Sequence, residues 1–272
     1  MDEWHTAVET RPVVFDVLLQ TICAAGARPE EIAAVAGPHA GRLIKAASLL
    51  LFRRQPDGAR TLLPLIAAAG APPEQVLILK AKLDIGAGAT EEALKSLDAA
   101  RKLSAQDAEV FLLLGQAHLQ AGQVDEALQD LDTGIGMNPQ NLGLLRSRLS
   151  LIMGQRKWFL AKGALEALEV GLAEARLPTT EAHLAAARYY SALREYGKVA
   201  SEYNLALTLN PGDAVVWAEL GALWEAAGRM VPALEAYRQS NVVTPGNAVV
   251  LAAIERLTTR VQVIRSGAGL AP

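Results

Sequence analysis

Four histidines, one cysteine and a scatter of carboxylates are the side chains here whose types suit catalysis or metal binding. His5, His39, His118 and His183 stand far apart in sequence. A helical zinc-hydrolase site needs two histidines one turn apart with a glutamate beside the first, and there is no HExxH run. CxxC, a glycine-rich phosphate loop and a nucleophile elbow are missing too. Cys23 is alone, which excludes an intrachain disulfide and a multi-cysteine zinc site. It falls within "PVVFDVLLQTICAAG", where burial keeps a thiol protonated and unreactive. Asp98, Asp130, Asp132, Glu166, Glu169, Glu202 and Glu235 are expected on solvated outer helix faces. These residues point away from an enzyme, with no cofactor and no metal.

Composition narrows the class further. The chain has 272 residues, is 51% hydrophobic and carries a net charge of −3. Without a basic stripe it does not read as a nucleic-acid binder. No apolar run reaches the ~18 residues of a membrane span. The best candidate for a leader core, Val13 to Ala25, contains Asp16 and Gln20 and follows the acidic Asp2 and Glu3. The expected setting is therefore cytoplasmic; a periplasmic chain whose leader has been removed would read the same.

What remains is position and period. "WAELGALWEAAGRMVPALEAY" carries Trp217, Leu220, Gly221, Trp224, Ala233 and Tyr237, with Pro245 beyond. Earlier, Phe111, Leu114, Gly115, His118, Ala127, Leu131 and Pro139 repeat the same internal spacings. This resembles the tetratricopeptide repeat, whose signature is W-x2-L-G-x2-Y, then A-x3-F, then P, in about 34 residues. Stepping by the period reaches Ala93 with Leu97, Ala59 with Leu63, Ala161 with Leu165, and Val199 with Tyr203. Repeats are placed at 40–73, 74–107, 108–141, 142–179, 180–213 and 214–247.

The resemblance implies an all-α, right-handed superhelical solenoid of helix-turn-helix repeats. Gly115 and Gly221 let two helices cross closely, with Ala127 and Ala233 opposite. Trp217, Trp224 and Tyr237 fill the space around the crossing, and His118 and His183 occupy repeat-core aromatic places. Gly122 and Gly228 break the chain at the turn, and the prolines of Asn138-Pro139 and Asn210-Pro211 end second helices. Residues 1–39 read as a degenerate helix pair that caps one end. Val250, Ile254, Leu257, Val261 and Ile264 make one stripe of a capping helix at 248–265, with a loose tail at 266–272. The fourth repeat is four residues longer than the rest, so its second helix is expected to be a turn longer. Phe159, beside its turn, is a candidate edge contact.

At about 100° per residue, positions 2, 6, 9 and 13 of each first helix face away from both packing contacts. In the resembled family these line a concave inner surface. Lys82, Gln116, Gln120, Arg146, Ser150 and Arg188 occupy or flank such places and form the candidate groove. The cations in its middle, in an acidic protein, would focus an anionic guest. The function expected is a non-catalytic scaffold that holds an extended peptide or partner protein with apolar and acidic side chains. A self-assembly module, or the regulatory arm of a larger enzyme or complex, are the alternatives.

Overall fold

The computed structural model describes the backbone of residues 12–267 and the side chains of residues 15–263. His5 and residues 268–272 of the expected tail lie outside the described residues. Fifteen α-helices follow one another, with no strand among the described residues. They are α1 (Pro12–Ala24), α2 (Pro29–Ala36), α3 (Ala40–Phe52), α4 (Pro56–Ala68), α5 (Pro73–Gly86), α6 (Thr90–Leu103), α7 (Ala108–Gln120) and α8 (Val124–Met137). There follow α9 (Leu142–Gly154), α10 (Trp158–Glu174), α11 (Thr180–Ala192), α12 (Tyr196–Leu209), α13 (Ala214–Ala226), α14 (Met230–Val243) and α15 (Ala248–Gly267). The chain falls into two compact units, Met1–Ser147 and Arg148–Pro272, with the division inside α9.

In the first unit α3 packs on α4, α5 on α6 and α7 on α8, and each pair leans on the next. Phe15, Leu19 and Cys23 of α1 and Ile32 and Ala36 of α2 are buried against α3, α4 and Leu79 and Leu83 of α5. Burial raises the Cys23 thiol pKa, as expected of a packed cysteine. The helix crossing is tight. A Cβ on Gly115 would meet Leu131 at 3.0 Å and the Ala127 carbonyl oxygen at 3.4 Å. Gly134 is tighter still, 2.7 Å from the Phe111 Cβ. It precedes the turn to the next repeat and is not part of the Leu-Gly signature.

In the second unit α11 pairs with α12 and α13 with α14, while α10 contacts α11. Tyr237 is 7% exposed and faces Gly221. Trp217 and Trp224 are half-buried, and the Trp217 indole N–H donates to the Pro211 carbonyl at 3.0 Å. Val250, Ala253 and Leu257 of α15 are buried against α14, joined by the partly buried Ile254. An ionic network reinforces that joint. Arg256 of α15 donates to both carboxylate oxygens of Glu225, at 2.8 and 2.9 Å, and the Tyr237 hydroxyl donates to the same group at 3.3 Å. Glu225, on the last first helix, is thus paired. α15 runs through Gly267, two residues past its expected end at 265.

The turn within each helix pair repeats one backbone device. A residue in the left-handed region stands two residues before the second helix in Arg54, Gly88, Gly122, Arg156, Arg194 and Gly228, with φ between 55° and 76°. Glycine takes this conformation without steric cost, whereas arginine does not. The fourth repeat's second helix, α10, has 17 residues where the other second helices have 13 or 14. The longer helix expected from the insertion is there. It ends as α4 does at Gly70 and unlike the remaining second helices: Arg176 turns left-handed at φ 56°, and the Leu177 amide closes on the Leu172 carbonyl at 2.9 Å. This is the backbone closure of a Schellman-type stop.

Candidate binding surface

First helices expose one narrow face. At position 9, Ser48, Gln116, Ser150, Arg188 and Ala222 are exposed and Lys82 is half-buried; at position 13, Phe52, Gly86, Gln120, Gly154, Ala192 and Ala226 are all exposed. Position 10 beside them is closed by Leu83, Ala117 and Leu151. Position 6 departs from expectation on α5 and α7, where Leu79 and Leu113 are buried at 3% and 8% exposure, although Lys45 and Glu219 at the same position are exposed. The usable face is therefore narrower than the helical wheel implies.

The candidate residues are distributed over both units. Lys82 lies on α5, Gln116 and Gln120 on α7, and Arg146 with Ser150 one turn apart on α9. Arg188 lies on α11 in the second unit. Lys82 is not an isolated cation: its ammonium meets Glu109, at the start of α7, at 2.6 Å. Arg188 acts on Tyr203, whose phenol donates to Glu219. Burial first, then that carboxylate, push the Tyr203 phenol up to about 12. The second unit thus sets a cation beside a tyrosine–carboxylate pair. Phe159 is 83% exposed, while Trp158 next to it packs toward Tyr189, ring centroids 6.4 Å apart.

His118 and His183 are packed as expected, but the carboxylates behind them are not on solvated faces. His118 on α7 meets Asp130 on α8, Nδ1 to Oδ2 2.6 Å, and Asp130 is 8% exposed. His183 on α11 meets Glu202 on α12 at 2.8 Å. Each pair ties the two helices of one repeat together. Burial raises the Asp130 pKa, and the His118 contact works against that rise. Thr179 Oγ1 approaches His183 Nε2 at 3.3 Å. Thr179 stands at the N-cap place of α11, so this contact fixes a helix start one turn from the imidazole. Asp84 of α5 is 3% exposed, and one of its oxygens accepts from Arg60 on α4 at 3.2 Å. The sequence signal for the His118 pair was its twelve-residue separation, which Glu225 and Tyr237 share across α13 and α14.

Among the described residues no group of three or more His, Cys, Asp or Glu side chains is placed to hold a metal ion. No helix among them is long and apolar enough to cross a membrane.

Residues 84–149 match the family model described as tetratricopeptide repeat. A comparison with curated proteins gave no match. Among solved structures, MamA 41-end from Desulfovibrio magneticus RS-1 superposes with a TM-score of 0.53 at 18% identity, over 64% of this chain and 96% of that one. The APC/C hetero-tetramer Cut9-Hcn1 gives a TM-score of 0.55 at 15% identity, over 92% of this chain and 50% of that one. MamA and Cut9 are tetratricopeptide-repeat proteins, and at these identities the likeness is one of fold. The all-α helix-turn-helix repeat architecture expected from the spacing is the fold observed.

Proposed function

We infer that this tetratricopeptide-repeat protein is a scaffold that holds an extended partner segment, with apolar and acidic side chains, along its first helices. The fold generally serves protein–protein interaction without catalysis. The observation supporting the finer reading is the open face at positions 9 and 13, bordered by closed packing positions. Gln116, Gln120 and Ser150 offer hydrogen bonds, and Arg146 and Arg188 offer charge-assisted ones. Lys82 contributes by exchanging Glu109 for a carboxylate of the guest. Small neighbours such as Gly86, Gly154 and Ala192 leave room for side chains.

The test is binding of fluorescein-labelled peptides rich in Leu and Glu, measured by polarisation at low and high salt. A surface charge pair is worth about 0.2–1 kcal/mol, so one substitution is too little. Reversing both Arg146 and Arg188 to Glu should weaken binding severalfold and flatten the salt dependence, with the circular dichroism spectrum unchanged. Wild-type affinity in the folded double variant would move the site off the first helices, and Phe159 would be the next residue to replace.

A further inference from the structure

The second residue of each second helix divides the chain in two. In the first unit it is Asp57, Glu91 and Asp125; in the second it is Phe159, Gly197 and Val231. Acidic side chains suit the positive end of a helix dipole, and the first unit follows that rule. The second unit breaks it three times, with no acidic residue in the first turn of α10, α12 or α14. The turns leading into these helices carry Arg156, Arg194 and Arg229, with Glu195 as the one acid among them; in the first unit only the turn into α4 carries arginines, Arg53 and Arg54. Arg156 and Arg194 do so in a left-handed conformation that glycine would take without steric cost.

Because helices alternate direction and neighbours pack in sequence, the turns of one unit fall along one edge of it. The second unit's edge thus joins cations, helix N-termini and exposed apolar side chains: Phe159 is 83% exposed and Val231 56%. A cation beside the positive end of a helix and an apolar side chain left in water are each locally unfavourable, and they occur together in the fourth and sixth repeats. The covering surface that would relieve them carries carboxylates and an apolar side chain. The first unit's own turn edge has both. Asp57, Glu91 and Glu126 are exposed there, and Phe52, at the end of α3 beside the same edge, is 85% exposed.

We propose that the turn edge of the second unit binds the turn edge of the first unit in another copy of the chain. The contact is heterologous, basic edge against acidic edge, with Phe159 and Phe52 as its apolar contributions. It uses none of the polar and charged groove residues, and of the open first-helix face only Phe52 at its end, so the charge-reversal variants test it separately from the scaffold reading.

The experiment is multi-angle light scattering of the full chain across protein concentration, at low and high salt. One variant carries Arg156→Glu, Arg194→Glu and Arg229→Glu; a second carries Asp57→Lys, Glu91→Lys and Glu126→Lys. The first places acids at helix N-termini, where they favour folding, so lost association in it is not lost structure. The wild type should associate as concentration rises, and less so in high salt. Either variant alone should associate at least about tenfold more weakly. Mixing the two should restore association, since the reversed edge of one variant then meets the reversed edge of the other. A wild type that stays monomeric, variants that associate as the wild type does, or a mixture that stays monomeric each overturns the proposal.

Discussion

Gly221 and Tyr237 are in such close contact that a Cβ on the glycine would stand 2.9 Å from the tyrosine Cδ1. The second helix crosses the first over a bare backbone, and the phenol ring fills the space that a side chain would claim. Gly221→Ala should therefore destabilise the second unit even though alanine is the better helix former. Gly115→Leu should do the same in the first unit. Overpacking of this kind costs about 1–3 kcal/mol. Thermal midpoints equal to wild type in both variants would show that the crossings have slack.

The arginines at the turns give a prediction of opposite sign. Arg194 sits at φ 60° in the place that Gly122 and Gly228 hold in other repeats. Arg194→Gly removes the left-handed penalty but frees the unfolded chain, leaving a net gain of about 0.5–1 kcal/mol. Gly122→Arg should lose a similar amount. Urea midpoints of the two variants should move in opposite directions, and movement in the same direction would contradict the account.

His118 and Asp130 form a buried pair that should respond to mutation asymmetrically. His118→Phe restores an aromatic residue but leaves the carboxylate without that partner, at a cost of about 1–3 kcal/mol. Adding Asp130→Leu should recover most of it. Burial holds the Asp130 pKa above its unfolded value. That contribution is present in full below the unfolded pKa and is lost as pH rises through the folded one. The gap between His118→Phe and wild type should therefore narrow on acidification and widen towards neutral pH. Chemical denaturation at several pH values measures the gap, and a pH-independent difference would argue against a buried carboxylate as its origin.

Tyr203 offers an alkaline counterpart. Its phenol ionises at about 12 in the folded chain, against an ordinary value near 10. A raised pKa stabilises the fold below the ordinary value, and that contribution disappears between pH 10 and 12. Ultraviolet titration of tyrosinate should show a late class that Tyr203→Phe removes. If the latest class survives in that variant, another tyrosine holds the raised value.

How much the sequence revealed depended on whether a residue's partner was local. The crossings at Gly115 and Gly221 were legible, since glycine in a helix of fixed period has few other reasons to recur. Cys23 in its apolar run and the stripe of α15 were legible for similar reasons. The ion pairs were not. Lys82 reaches Glu109, and Glu225 reaches Arg256, each across to the following helix pair or cap. Charge type alone cannot reveal such pairing; repeat register can, once the period is known. Asp130 and Glu202 were expected in water because acidic residues on outer helices usually are, and the histidines opposite draw them in. The arginine turns were not legible because arginine carries no turn signal of its own, whereas the backbone conformation repeats by position.

The four extra residues of the fourth repeat bear on what length changes such a chain can absorb. Four residues advance a helix by about 400°, some 40° past one full revolution. Ala161, Ala164, Leu165, Leu168 and Leu172 of α10 accordingly stay on one buried stripe to the end of the lengthened helix. Three of the added residues lengthen α10 relative to its 14-residue counterparts, and the fourth enters the stop at Arg176 and Leu177. An insertion of two residues would leave the stripe about 200° out of phase and turn its leucines to solvent. Segments gained or lost here are tolerated as whole revolutions, and the chain after α10 resumes its repeat without recoding a single downstream face.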